Sequence, residues 1–237
     1  MKKIFILIFI IFIKSNSYAH IEHYKNIKKI EMNILKDGKV IGFCEYEFSK
    51  KGNKITVNNI TKFEVKVLGM KIFSITSTGK EIYRDDKLIS FESKTLQNNK
   101  RKYVDLQFEK NNNNYLIDGS SYKGTAEIDS VVGSWWNHKI LTADKQISPL
   151  SGSIKEQEVL FINKENIVID GTEYLVHKFT LKSKNLNLPQ DKKLDFEIWY
   201  DPKQNLILKV AYNRLGKWEY ILKKILLTSF FFSYICY

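Results

Sequence analysis

Trp135-Trp136-Asn137-His138 is the densest polar–aromatic cluster in the chain. Indole rings beside an amide and an imidazole suit the wall of a ligand cavity. The rings supply apolar area, and Asn137 and His138 would orient a polar head group. The plainer reading is an anchor, with the tryptophans holding a short helix to a sheet and Asn137 capping backbone groups. His20 and His23 offer imidazoles that, with a new amino terminus at His20, would begin a copper site; the ligand set is incomplete, and a frayed terminus explains both residues. His177 lies within a strand pattern beside Leu175, Phe179 and Leu181, where a lone histidine is a core or rim residue. Asp195 and Glu197 share a strand face and, with Asp201, would supply paired carboxylates for glycoside chemistry. Alternation on a polar face explains that pair, and Asp201, like Asp170, reads as a turn residue. No G-x-S-x-G is present, and no cysteine stands with a histidine and an acid at a recognisable spacing. No catalytic residue, metal ligand or cofactor is therefore assigned.

These residues sit in a chain of 237 residues, 43% hydrophobic and 27% charged, which fits one folded domain or two small ones. Two cysteines exclude a disulfide scaffold and a Cys₄ zinc site. Cys44 shares a strand face with Tyr46 and Phe48 and reads as a buried thiol; a Cys44–Cys236 bridge remains open. The net charge of +12 raises the question of nucleic acid, yet only three of the basic residues are arginine: Arg84, Arg101 and Arg214. Base and phosphate readout favours arginine's planar fork, and the lysines are scattered among acids. No nucleic-acid partner is expected.

Lys2 and Lys3 precede an apolar run from Ile4 to Ile13, and Ser17 and Ala19 occupy the −3 and −1 positions of a cleavage site before His20. This is the layout of a secretory signal over residues 1–19, and the run is too short to span a bilayer. The reading implies a periplasmic protein.

From Lys28 the pattern is strand, turn, strand. Ile30, Met32 and Ile34 alternate with polar residues, Asp37-Gly38 makes a hairpin turn, and Val40, Gly42, Cys44, Tyr46 and Phe48 mark the next face. Later strands are expected over Ile55–Val67, Met70–Tyr83, Lys87–Gln97, Lys102–Lys110 and Tyr115–Glu127. Beyond the middle they fall at Ile154–Phe161, Ile167–Ile169, Tyr174–Lys182, Leu194–Tyr200, Leu206–Tyr212 and Trp218–Leu222. Residues 134–146 lack the two-residue period. Ser134 would cap a short helix there, with Trp135, His138 and Lys139 on one face. So many antiparallel strands must curl to manage their edges, which predicts a mainly β fold: a long curled meander, as half-barrel or open barrel, with a short helical segment near 134–146. The concave side is filled by side chains or kept as a cavity, and Trp135-Trp136 is its candidate plug or lip.

Several signatures stand in order. They are Asp37-Gly38-Lys39-Val40-Ile41-Gly42, Phe63-Glu64-Val65-Lys66-Val67-Leu68-Gly69, Leu88-Ile89-Ser90-Phe91 with Lys94-Thr95, Trp135-Trp136-Asn137-His138, Gly171-Thr172-Glu173-Tyr174 and Trp199-Tyr200-Asp201. With the export signal, this series resembles domain-of-unknown-function family 6134, a group of exported bacterial β-rich proteins, over roughly residues 25–223. The resemblance implies fold and compartment but brings no activity and no catalytic residue. The family is distantly similar to periplasmic half-barrels of the lipoprotein-carrier kind, an analogy of fold alone. The resemblance fades after Lys223-Lys224. Residues 224–237 form an apolar tail, read as an extra strand, a read-through tail or a membrane-seeking end; a barrel spanning the membrane is disfavoured because lysines occur on both strand faces.

The expected organisation is a signal peptide at 1–19, a single β-rich domain at 20–223 and the tail at 224–237. The expected function is that of a soluble envelope protein that binds or shields a lipid or another apolar or amphipathic small molecule at Trp135, Trp136, Asn137 and His138. Peripheral membrane contact is a further expectation, and a protein partner is left open. The alternative is a non-catalytic scaffold acting through a strand edge.

Overall fold

The two-residue rhythm folds as a continuous series of strands in the computed structural model, which describes residues 23–190 and 192–228. The strands are β1 (Ile27–Lys36), β2 (Lys39–Lys51), β3 (Lys54–Val67), β4 (Met70–Arg84), β5 (Lys87–Gln97), β6 (Lys100–Glu109), β7 (Asn114–Gly119), β8 (Lys123–Glu127), β9 (Val131–Val132), β10 (Lys145–Ile147), β11 (Ile154–Ile169), β12 (Thr172–Ser183), β13 (Asp195–Asp201), β14 (Leu206–Asn213) and β15 (Lys217–Leu227). The expected signal segment, His20 and Cys236 lie outside the described residues. Of the expected tail, Lys224–Leu227 belong to β15, whose last residue pairs with Ile27.

Turn chemistry sets the register. Asp37-Gly38, Asp85-Asp86, Asn98-Asn99 and Asp170-Gly171 all have positive φ. Each closes a two-residue hairpin, as the pairs Lys36↔Lys39, Arg84↔Lys87, Gln97↔Lys100 and Ile169↔Thr172 show. Such turns match the right-handed twist of the strands they join.

The strands form one 15-stranded sheet in the order β8-β7-β6-β5-β4-β3-β2-β1-β15-β14-β13-β12-β11-β10-β9. Neighbours in space are neighbours in sequence except where the first strand meets the last, with Ile34 opposite Tyr220 and Lys36 opposite Trp218. All pairings are antiparallel but β9–β10. The meander thus runs almost full circle and stays open between β8 and β9, short strands that the chain itself joins through residues 128–130. The expected curled meander, in its open-barrel form, is the architecture found.

Three details differ from the sequence reading. Ile154–Ile169 is one strand with a bulge between Phe161 and Asn163, not two strands. The Tyr115–Glu127 run folds back on itself as β7 and β8. The helical segment shrinks to a 3₁₀ turn at His138–Leu141, capped by Asn137 and not by Ser134. Ser134 is drawn away because its hydroxyl donates to Glu81.

The segment from β9 to β10 is the plug. Its Val131, Val132, Trp136, Ile140 and Ile147 are all buried. Val132, Trp136 and Ile147 pack with Ile30, Met32, Val57, Leu106 and Ile117, whereas Val131 and Ile140 pack with Leu181, Ile198 and Val210. The plug thus contributes to both apolar clusters, which Trp135 of the plug and Tyr220 of β15 each touch. Its end is seated by a close approach of backbone: a β-carbon on Gly119 would lie 2.6 Å from the Ser151 carbonyl oxygen, and Gly152 has φ +81. Only glycine fits both demands.

Candidate functional site

Strand β4 turns Ile75, Ser77, Glu81 and Tyr83 toward the plug, and all four are buried. Glu81 meets three neutral donors. The Tyr83 hydroxyl donates to Oε2 at 2.6 Å, the Ser134 hydroxyl to Oε1 at 2.8 Å and the Trp136 indole N–H to Oε1 at 3.0 Å. Burial nevertheless pushes the Glu81 carboxyl above the ordinary carboxylate range, with the three donors working against it. The Asn137 amide continues the network by donating to the Tyr83 oxygen at 3.3 Å. Around the Trp136 ring stand Tyr24, Phe48 and Tyr83, edge to face at 5.0, 5.3 and 5.7 Å. This arrangement holds the plug; it presents no nucleophile beside a base.

His138 belongs to a second cluster. Its Nδ1 lies 2.7 Å from the Tyr24 hydroxyl, and its ring lies 5.7 Å from that of His23 and 5.6 Å from that of Tyr200. Burial, and then the neighbouring His23, lower its pKa to about 4. Among the described residues no group of three or more His, Cys, Asp or Glu side chains is placed to hold a metal ion.

On the other side of the plug lies a cavity of about 290 Å³ between the sheet and Trp135. Tyr46, Phe63, Phe73, Phe91, Tyr212, Tyr220 and Trp135 give it aromatic walls, and Arg214 stands among its lining residues. A smaller hollow of about 200 Å³ shares Trp135, Tyr212, Arg214 and Tyr220 and adds Lys193 and Phe196. The Trp135 ring meets Phe196 edge to face at 5.1 Å, and its backbone N–H donates to the Tyr46 hydroxyl at 3.2 Å. Toward β2–β5 the lining turns polar: the Cys44 sulfur and Thr61 hydroxyl are 3.1 Å apart, and the Asn59 amide donates to that sulfur at 3.4 Å. Burial raises the Cys44 pKa, which keeps the thiol protonated and inert. The space suits a molecule with an apolar body and a polar or anionic end. A more polar hollow of about 360 Å³ lies at the open seam, lined by Asp86, Asp129, Asn137, Lys139 and Asp144 among others.

The family model for the domain of unknown function DUF6134 matches residues 32–223, the span from β1 to β15 that closes the meander. The chain belongs to the DUF6134 family. No curated protein matches it in sequence. In structure this DUF6134 domain is similar to a β-barrel-like protein of the domain of unknown function DUF1849 from Brucella abortus. The TM-score is 0.59 at 10% identity, covering 86% of this chain and 98% of that one. That likeness is one of fold. A protein of Bacteroides fragilis, named as a putative exported protein with a YmcC-like fold, aligns over 83% of this chain and 94% of its own at 12% identity, with a TM-score of 0.35.

Within the DUF6134 fold the cluster Trp135-Trp136-Asn137-His138 is divided. Trp135 lines the cavity, Trp136 and Asn137 serve the Glu81 network, and His138 joins Tyr24 and His23. Asn137 also caps the 3₁₀ turn by accepting from the Lys139 N–H at 3.1 Å. His177 is half-buried on β12 with its ring edge to face with Phe161, and Glu197 pairs with Lys178 at 2.7 Å on the sheet surface. Asp201 accepts from the Lys203 N–H, as a turn residue does. As site residues, Glu81, Tyr46, Tyr220 and Arg214 were not singled out by the sequence reading. For Glu81 a signal existed: it shares strand parity with Ile75 and Tyr83, so the core-facing rhythm of β4 carried a carboxylate inward.

Proposed function

We propose that this chain is an exported envelope protein that holds a small amphipathic molecule between sheet and plug. The apolar body would lie against Trp135, Phe73, Tyr212 and Tyr220, and an anionic end would meet Arg214. The observation that carries this reading is the aromatic-walled cavity with Arg214 among its lining residues. Each CH₂ taken from water contributes about 0.8 kcal/mol, so a short chain or ring system suffices for useful affinity. Size limits the ligand class. A cavity of about 150 Å³ accepts benzene; the 290 Å³ here takes a fragment roughly twice that size and excludes a whole phospholipid. Export is supported by Lys2-Lys3, the apolar run to Ile13 and the Ser17/Ala19 pair.

The test uses 1-anilinonaphthalene-8-sulfonate and decanoate, each an apolar body with one anionic end. Wild-type protein is expected to bind both, with decanoate displacing the fluorophore, and Arg214→Glu to weaken binding about tenfold. Native mass spectrometry of protein isolated from the periplasm is expected to show a small adduct and an N-terminus at His20. Protein that binds neither probe, or an Arg214→Glu variant with unchanged affinity, would sink the proposal.

A further inference from the structure

The hairpin between β3 and β4 outruns its neighbours. Pairing of β3 with β2 ends at Phe63 opposite Gly42, and pairing of β4 with β5 begins at Ile75 opposite Gln97. Ser74 still bonds Asn98 in the β5–β6 turn, so residues 64–73 form a two-stranded ribbon that pairs only with itself and projects past the rim. Its end is apolar and open to solvent: Leu68 is 92% exposed, Met70 65% and Ile72 56%. Leu215, in the turn between β14 and β15, is 93% exposed. The antiparallel order puts this turn and the ribbon at the same end of the sheet. Their bases are packed together, because Trp218 meets the rings of Phe63 and Phe73 at 5.5 and 6.5 Å.

Backbone geometry makes the two leucines stand out. Among the described residues, ten non-glycine positions have positive φ; eight are Asp or Asn, and the others are Leu68 (φ 51) and Leu215 (φ 50). Asp and Asn tolerate that conformation, and leucine is disfavoured there. These tips thus carry a residue that suits neither its backbone nor its exposure to water. Lys36, Lys39, Lys66, Lys71 and Lys217 flank them in the chain; Lys36, Lys66 and Lys217 pair with Asp37, Glu64 and Glu219, and Lys39 and Lys71 leave the rim with a basic excess. At the opposite end the tips Gly52-Asn53, Asp85-Asp86, Asn111-Asn112-Asn113 and Asp170-Gly171 carry no apolar side chain.

We propose that this rim docks on a lipid bilayer carrying anionic headgroups, with Leu68 and Leu215 entering the interface and the lysines meeting phosphate. Separate apolar tips on narrow turns suit a fluid interface, which closes around each of them, better than the flat complementary face of a folded partner. The basic excess selects an anionic surface. The inference stands apart from the cavity, since it concerns the outer rim and needs no ligand inside.

The experiment is vesicle flotation of the full chain with phosphatidylglycerol–phosphatidylcholine vesicles and with phosphatidylcholine alone. Wild-type protein is expected to float with the anionic vesicles and to be released by high salt. The double variant Leu68→Asn/Leu215→Asn is expected to lose at least about tenfold in vesicle affinity. It should melt no lower than wild type, because Asn is at home at positive φ. Lys66→Gln/Lys71→Gln is expected to lower binding to anionic vesicles only. Wild-type protein that stays at the bottom of the gradient overturns the proposal. So does a folded leucine variant that floats like wild type, since the contact would then lie elsewhere in the chain.

Discussion

Glu81 is a carboxylate held by two hydroxyls and an indole N–H, all neutral. Replacing it by alanine strands those three donors in the core, and Glu81→Ala is expected to cost about 3 kcal/mol in denaturant unfolding. Glu81→Gln keeps the shape and changes the pH dependence. Because burial raises the folded pKa of Glu81, its contribution to stability is fullest below the ordinary carboxylate range and is lost as pH rises through the raised value. The difference in melting temperature between wild type and Glu81→Gln should therefore shift in favour of Gln as pH rises; a constant difference would contradict the assignment. His138 acts in the opposite sense. Its folded pKa of about 4 lies below the ordinary histidine value of 6.5, so its contribution is present above pH 6.5 and is lost as pH falls toward 4. His138→Gln is expected to flatten thermal stability across that window. At this scale the sequence was partly legible. Trp135 and Trp136 were visible as a cluster, but their separate duties were not, because residues outside a regular strand have no fixed parity.

Among the elements, the plug depends on one buried amide. The Gln157 side chain donates to the Ile140 and Ala143 carbonyls at 2.8 and 2.9 Å and accepts from Gln146 at 2.6 Å. It satisfies the end of a 3₁₀ turn too short to satisfy itself. Gln157→Leu is expected to destabilise by about 3 kcal/mol, read from denaturant unfolding, since two carbonyls and an amide lose their partners. Gly119→Ala should act through the backbone contact with Ser151, lowering the melting temperature although the position carries no side chain today. The hairpins were readable in advance, since Asp-Gly, Asp-Asp and Asn-Asn favour the positive φ that two-residue turns need. The length of the helical segment was not. Ser134 reads as a cap until a buried glutamate from a distant strand is placed beside it.

For the whole molecule, the β1–β15 pairing and the gap between β8 and β9 predict a gradient of local stability. Amides of β1 and β15, flanked on both sides, should be among the slowest to exchange with deuterium, and those of β8 and β9 at the open edges among the fastest. Equal protection at both places would mean that the ring does not open where this order leaves it open. Alternation of residue type, turn dipeptides and strand lengths act over a few residues, so the sequence carried the meander, its core-facing positions and most of its registers. Closure of the first strand on the last, the insertion of the plug and the sorting of Trp135 from Trp136 rest on contacts between residues distant in the chain, such as Ile34 with Tyr220, Trp136 with Glu81 and Trp135 with Tyr46 and Phe196. Those contacts follow from accumulated twist and from the shape of the space left inside, and no local pattern of residues encodes either.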